Sequence, residues 1–84
     1  MARKSKKIGE YTVHELAVRE MLPLMRELSE DSDEGQMQLI GRAVHKDGQP
    51  IGVDVAYELG MGDFMSLMTA VTEVNGLDDD GKKS

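Results

Sequence analysis

Apolar and polar positions alternate with helical spacing most clearly over Asp63–Leu77, read DFMSLMTAVTEVNGL. Phe64, Leu67, Met68 and Val71 fall at i, i+3, i+4 and i+7, and Val74 extends the series, so one apolar stripe runs along one helix face. Asp63 is the expected N-cap, because a carboxylate there can accept from the free amides of the first turn. Asn75-Gly76 is the expected stop, since Gly readily takes the left-handed conformation that closes a helix. Most of the core is expected on this helix.

The same periodicity marks two more helices. From about Val18 to Ser29, Met21, Leu24, Met25 and Leu28 repeat the stripe, and Leu22 widens it. Pro23 lies within it, so this helix either begins near Glu20 or kinks at the proline. Met37, Ile40 and Val44, with Leu39 and Ala43 beside them, predict a helix over Gln36–His45. His45 and Lys46 would then sit in its last turn, where cations interact favourably with the helix dipole.

The remaining stretches are short. Tyr11 and Val13 alternate with Thr12 and His14, which suggests a strand to about Leu16, although Thr12-Val13-His14-Glu15 also fits a capping box. Glu30–Gly35 (EDSDEG) reads as an acidic loop. Asp31-x-Asp33-x-Gly35 only superficially resembles a calcium loop: Gly comes one place early, and the twelfth position is Arg42 rather than a bidentate Glu. Asp47-Gly48-Gln49-Pro50 is a turn. Ile51–Leu59 reads equally as a strand (Ile51, Val53, Val55) or as a short helix opened by Asp54, and Gly60-Met61-Gly62 as a hinge. The expected architecture is a mainly α, small three-helix domain with a short N-terminal extended or β segment over residues 8–77. It is flanked by disordered charged termini at 1–7 and 78–84.

Composition sharpens this picture. An 84-residue chain without Cys is one domain with no disulfide or thiolate site. It buries only about 60% of its unfolded surface, which makes self-association favourable. Seven Met residues against three aromatics make its apolar surface adaptable. The net charge is −6, with Arg3, Lys4, Lys6 and Lys7 gathered ahead of an acidic body. That balance argues against nucleic acid as the main ligand. No apolar run is long enough for a membrane helix, and the basic start leads into no signal-peptide core, so a soluble, intracellular protein is expected.

Catalytic patterns are missing from the sequence. His14 and His45 are far apart and have no Cys or HExxH companion. No serine lies in GxSxG, and the nine glycines form neither GxGxxG nor GxxxxGK[ST]. Metal and cofactor sites are therefore not expected, nor is enzymatic activity.

Three segments in order, TVHELAVREM, VDVAYEL and GDFMSLMTAVTEVNG, resemble the small tail assembly chaperones of long-tailed bacteriophages, of the myophage and Mu-like type. The resemblance spans about residues 10–77. It implies a helical, non-enzymatic protein of the host bacterial cytoplasm. Such a protein would bind the tape measure protein during tail morphogenesis, keep it soluble and help recruit the tail tube protein. Many such chaperones are also made in a longer frameshifted form, and Gly81-Lys82-Lys83 fits a slippery site. Apolar anchors at helical spacing suit binding of a helical client. The expected partner-binding residues are Met21, Leu24 and Met25 of the first helix and Met61, Met65 and Met68 around the last. The alternative is a small acidic regulatory or inhibitory protein acting through Glu30–Glu34 and Asp78–Asp80.

Overall fold

The computed structural model describes residues 4–76 and is mostly helical, with a small antiparallel sheet. In chain order the elements are β1 (Ser5–Ile8), β2 (Tyr11–His14), α1 (Val18–Glu30), α2 (Ser32–Ala43), β3 (Val44–Lys46), β4 (Gln49–Pro50), α3 (Gly52–Glu58) and α4 (Met61–Val74). Among the described residues there are four helices rather than three. The extended N-terminal segment has become part of a four-stranded meander in the order β1-β2-β3-β4. Ser5–Lys7, expected in a disordered tail, pair with Thr12–His14 instead.

Two tight hairpins build the sheet. Gly9 and Glu10 join β1 to β2, with Gly9 at φ 59°, and Ile8 faces Tyr11 across the turn. Asp47 and Gly48 join β3 to β4 with φ of 57° and 82°. Positive φ at both central positions is the type I′ signature, which matches the strand twist and favours Asp-Gly. This hairpin takes His45 and Lys46 out of the helix where their sequence position placed them. The helical segment ends at Ala43, and Val44 turns into a strand whose fully buried side chain faces Val13 of β2. A strand has period two, so Thr12, His14 and His45 occupy the opposite face.

The acidic stretch is the start of a helix, not a loop. Asp31 is the N-cap of α2, and its Oδ1 accepts from the Glu34 N–H at 3.2 Å. Asp33 and Glu34 lie in the first turn, where negative charge complements the helix dipole. α1 runs from Val18 through Pro23 without ending. Both Pro23 and Arg19 are exposed, so water can serve the Arg19 carbonyl that lacks its usual i+4 donor. Its start is fastened by Glu20, whose Oε1 accepts from the Ala17 N–H at 2.8 Å. This is half of a capping box, since Ala17 has no side-chain oxygen to return the bond.

α4 begins three residues earlier than its pattern suggested. Gly60 is the cap, Phe64 N–H donates to Gly60 C=O at 2.9 Å, and Asp63 lies inside the first turn. The helix closes at Asn75 and Gly76, the latter at φ 68°. The ambiguous Ile51–Leu59 stretch is helical over Gly52–Glu58.

α2 is the hub, packed on α1, α3, α4 and the β3–β4 hairpin. Its glycines permit the two closest approaches. A Cβ at Gly35 would lie 2.7 Å from the Leu28 backbone of α1, and one at Gly41 would lie 2.6 Å from the Gly52 carbonyl carbon at the start of α3. The core joins Leu39, Ile40 and Ala43 of α2 to Leu67, Ala70, Val71 and Val74 of α4. Val13, Val44, Met21, Leu24 and Ala56 complete it.

Candidate partner-binding surface

α1 and α4 carry apolar arcs wider than the core uses. On α1, successive residues advance about 100°, so Leu24, Leu28 and Met21 turn inward while Val18, Leu22 and Met25 follow round the helix into solvent. These three are 73%, 59% and 50% exposed. On α4, Leu67, Val71 and Val74 are buried, while Met61 and Met65 are 70% and 57% exposed and Met68 is half-buried. Large apolar side chains exposed together rather than singly mark interaction surfaces.

The two arcs have the same spacing. Val18, Leu22, Met25 and Ser29 are separated by four, three and four residues, as are Met61, Met65, Met68 and Thr72. Four-three-four is the a/d repeat by which helices engage other helices. α1 and α4 both rest on α2 but make few direct contacts with each other. Between them lies a groove of about 420 Å³ lined by Met25, Leu28, Ser29, Gln36, Leu39, Met68 and Thr72. A smaller apolar recess of about 200 Å³ at the α3–α4 junction is lined by Met37, Ala56, Tyr57, Leu59, Met61 and Phe64. Beside it the Tyr57 hydroxyl donates to Glu34 Oε1 at 2.7 Å, and the carboxylate it bonds raises the phenol's pKa.

The six residues expected to bind a partner thus divide. Met25 and Met68 line the groove, Met61 lines the α3–α4 recess, and Met65 is exposed on the same α4 arc. Met21 and Leu24 belong to the core, because they occupy the inward half of the α1 arc. Val18, Leu22 and Thr72 were missed as surface anchors. The available signal was the breadth of the α1 arc, since a helix covered on one side needs only its inward half.

A third concavity, of about 510 Å³, gathers titratable side chains. His14, Glu15, Glu20, Arg42 and His45 line it with Leu16, Gly48 and Pro50. The pairing of β2 with β3 brings the His14 and His45 rings into edge-to-face contact at 4.4 Å. Desolvation, and then the neighbouring His45, lower the His14 pKa. Glu15 accepts from the Lys4 N–H at 3.0 Å, and Glu20 is the α1 cap described above. Both carboxylates of this concavity therefore hold backbone in place.

No protein family, characterised protein or solved structure matches the chain. Among the described residues, no helix is long and apolar enough to cross a membrane. Gly81-Lys82-Lys83 and Asp78–Asp80 lie outside the described residues.

Proposed function

We propose that this protein is a non-enzymatic phage tail assembly chaperone, which binds the tape measure protein and helps recruit tail tube subunits in the host bacterial cytoplasm. The observation that carries this reading is the Met-rich apolar surface of α1 and α4. It is exposed in the free chain, and its heptad spacing suits a long helical client. Unbranched Met side chains adapt to different apolar partners along such a client. The order of sequence segments that resembles the tail chaperones supplies the identity of the client.

Co-expression with the tape measure protein encoded near its gene tests the proposal. The wild-type chain is expected to carry the client into the soluble fraction and to co-purify with it. Replacing both Met61 and Met65 by Ser should abolish co-purification while leaving the circular dichroism spectrum unchanged. A client equally insoluble with and without the wild-type chain would refute the reading. The acidic inhibitor alternative is less favoured because Asp31 and Glu34 already serve the start of α2 and the Tyr57 contact.

A further inference from the structure

We infer that the groove between α1 and α4 is the seat of a single amphipathic helix from another chain, and that this helix carries acidic residues beside its apolar face. The inference deepens the client-binding reading and rests on it for the partner being helix-forming. It specifies where the partner lies and which charge it presents.

Two parallel considerations assign a helix as occupant. Each wall offers an a/d seam of the same four-three-four spacing, and Met25 and Ser29 of one line the groove together with Met68 and Thr72 of the other. The walls rest on a common floor, Leu39 of α2, without closing on each other. A third helix laid between two such seams completes a packed set of helices, with its own apolar residues entering both.

The flanks decide which helix. Arg19 and Arg26 follow Val18 and Met25 by one residue, which places them on the solvent-side flank of the α1 seam, where Glu30, after Ser29, stands at the end and leaves the flank net positive. Both arginines are exposed, and neither forms an ion pair among the described residues. The matching flank of the α4 seam holds Gly62, Thr69 and, at its end, Glu73, whose charge is already paired with Lys6 at 2.7 Å. A docked helix therefore meets positive charge on one side only, and carboxylates there are favoured over ammonium groups.

The same charges disfavour a second copy of this chain. If two α1 helices paired antiparallel, each flank would meet its own kind, bringing Arg19 of one beside Arg26 of the other. If they paired in parallel, the arginines would meet the opposite flank, Met21 and Leu28, which the fold's own core occupies. The only carboxylate on the exposed flank of a second copy's α4 seam is Glu73, which Lys6 already holds at 2.7 Å. A different chain is required.

The test uses the full-length protein and two labelled helical peptides of about three heptads with identical Leu/Ile seams. One carries Glu and the other Lys at both flanking positions. By fluorescence anisotropy at low salt, the Glu peptide should bind roughly tenfold more tightly than the Lys peptide, a difference that shrinks as salt screens the flank. The double variant Arg19→Glu/Arg26→Glu, with its fold checked by circular dichroism, should invert the order. Leu22→Ser/Met65→Ser should weaken both peptides.

Three outcomes would overturn the inference. The first is that neither peptide binds. The second is an order that ignores the charge reversal. The third is wild-type dimerisation that Leu22→Ser/Met65→Ser abolishes and the charge reversal leaves intact, which would put a second copy in the groove. The two readings fail separately. Peptides that bind as expected while the tape measure protein stays insoluble would sink only the client's identity. A client solubilised equally by wild type and both variants would sink only the groove.

Discussion

The side chain of Asn75 accepts the Leu16 N–H on Oδ1 at 2.8 Å, joining the end of the last helix to the connector between β2 and α1. Its Nδ2 donates to Val71 C=O at 3.0 Å and lies 3.5 Å from His14 C=O. One amide therefore closes α4 and holds the segment that sets the direction of α1, whose outer face lines the groove. A residue read from sequence as a helix stop is also a long-range clamp.

Asn75→Ala should destabilise the fold by about 1–3 kcal/mol, because the part-buried Leu16 N–H loses its acceptor. Asn75→Asp keeps that acceptor but turns a carboxylate oxygen toward the Val71 carbonyl at the negative end of α4, so it should cost less than Ala only where the pH is low enough to protonate it. Urea unfolding of the three proteins at such a pH checks the ranking, and equal midpoints for Ala and Asp would contradict it.

Glycine substitutions should separate by location. Gly35→Ala and Gly41→Ala force a methyl against backbone that cannot swing aside, and should each cost about 1–3 kcal/mol. Gly62 has open space around its Cβ position and lies in the first turn of α4. Gly62→Ala should be stabilising by roughly 0.5 kcal/mol through helix propensity. Thermal melts of all three are sufficient to check the contrast.

Stability should depend on pH through the histidine pair. The His14 pKa is held below its ordinary value of 6.5, first by desolvation and then by His45. The folded chain therefore binds fewer protons there than the unfolded chain. Its contribution is fully present above the unfolded value and is lost as the pH falls below about 6.5 through the folded value. Urea midpoints between pH 7.5 and 5 should fall in wild type and fall less in His14→Gln. An equal decline in both would show that other groups are responsible.

Buried and exposed positions on α4 should respond in opposite ways. Leu67→Ala empties a fully buried site and should cost about 2–5 kcal/mol. Met65→Ser, two residues earlier on the exposed arc, should change stability by no more than about 0.5 kcal/mol. Chemical denaturation measures both, and a large loss at Met65 would mean that its side chain is part of the core.

The helices that carry long apolar stripes were legible in the chain, because a 3.6-residue repeat needs no knowledge of what covers it. α1 was expected from about Val18 to Ser29 and spans Val18–Glu30; α4 was expected with its stop at Asn75-Gly76. The start of α2 was hidden by its acidity. Glu30–Glu34 has the composition of a loop, yet Asp31 as cap and acids in the first turn are also what a helix N-terminus favours. β1, β3 and β4 were hidden for another reason. Each is four residues or fewer, and a segment that short becomes a strand only when a neighbour receives its backbone bonds.

Partner-facing residues divide along the same line. Sequence by itself determined that the Met-rich helices had apolar faces, which positions shared each face, and where α4 would end. It could not say which half of a broad arc the fold would consume, so Met21 and Leu24 were grouped with Met25. Only the tertiary structure decided that α2, brought close to α1 by Gly35, covers the inward half of α1 and leaves the other half beside α4. Periodicity records the angle of a side chain about its own helix, whereas burial depends on where the other helices come to rest.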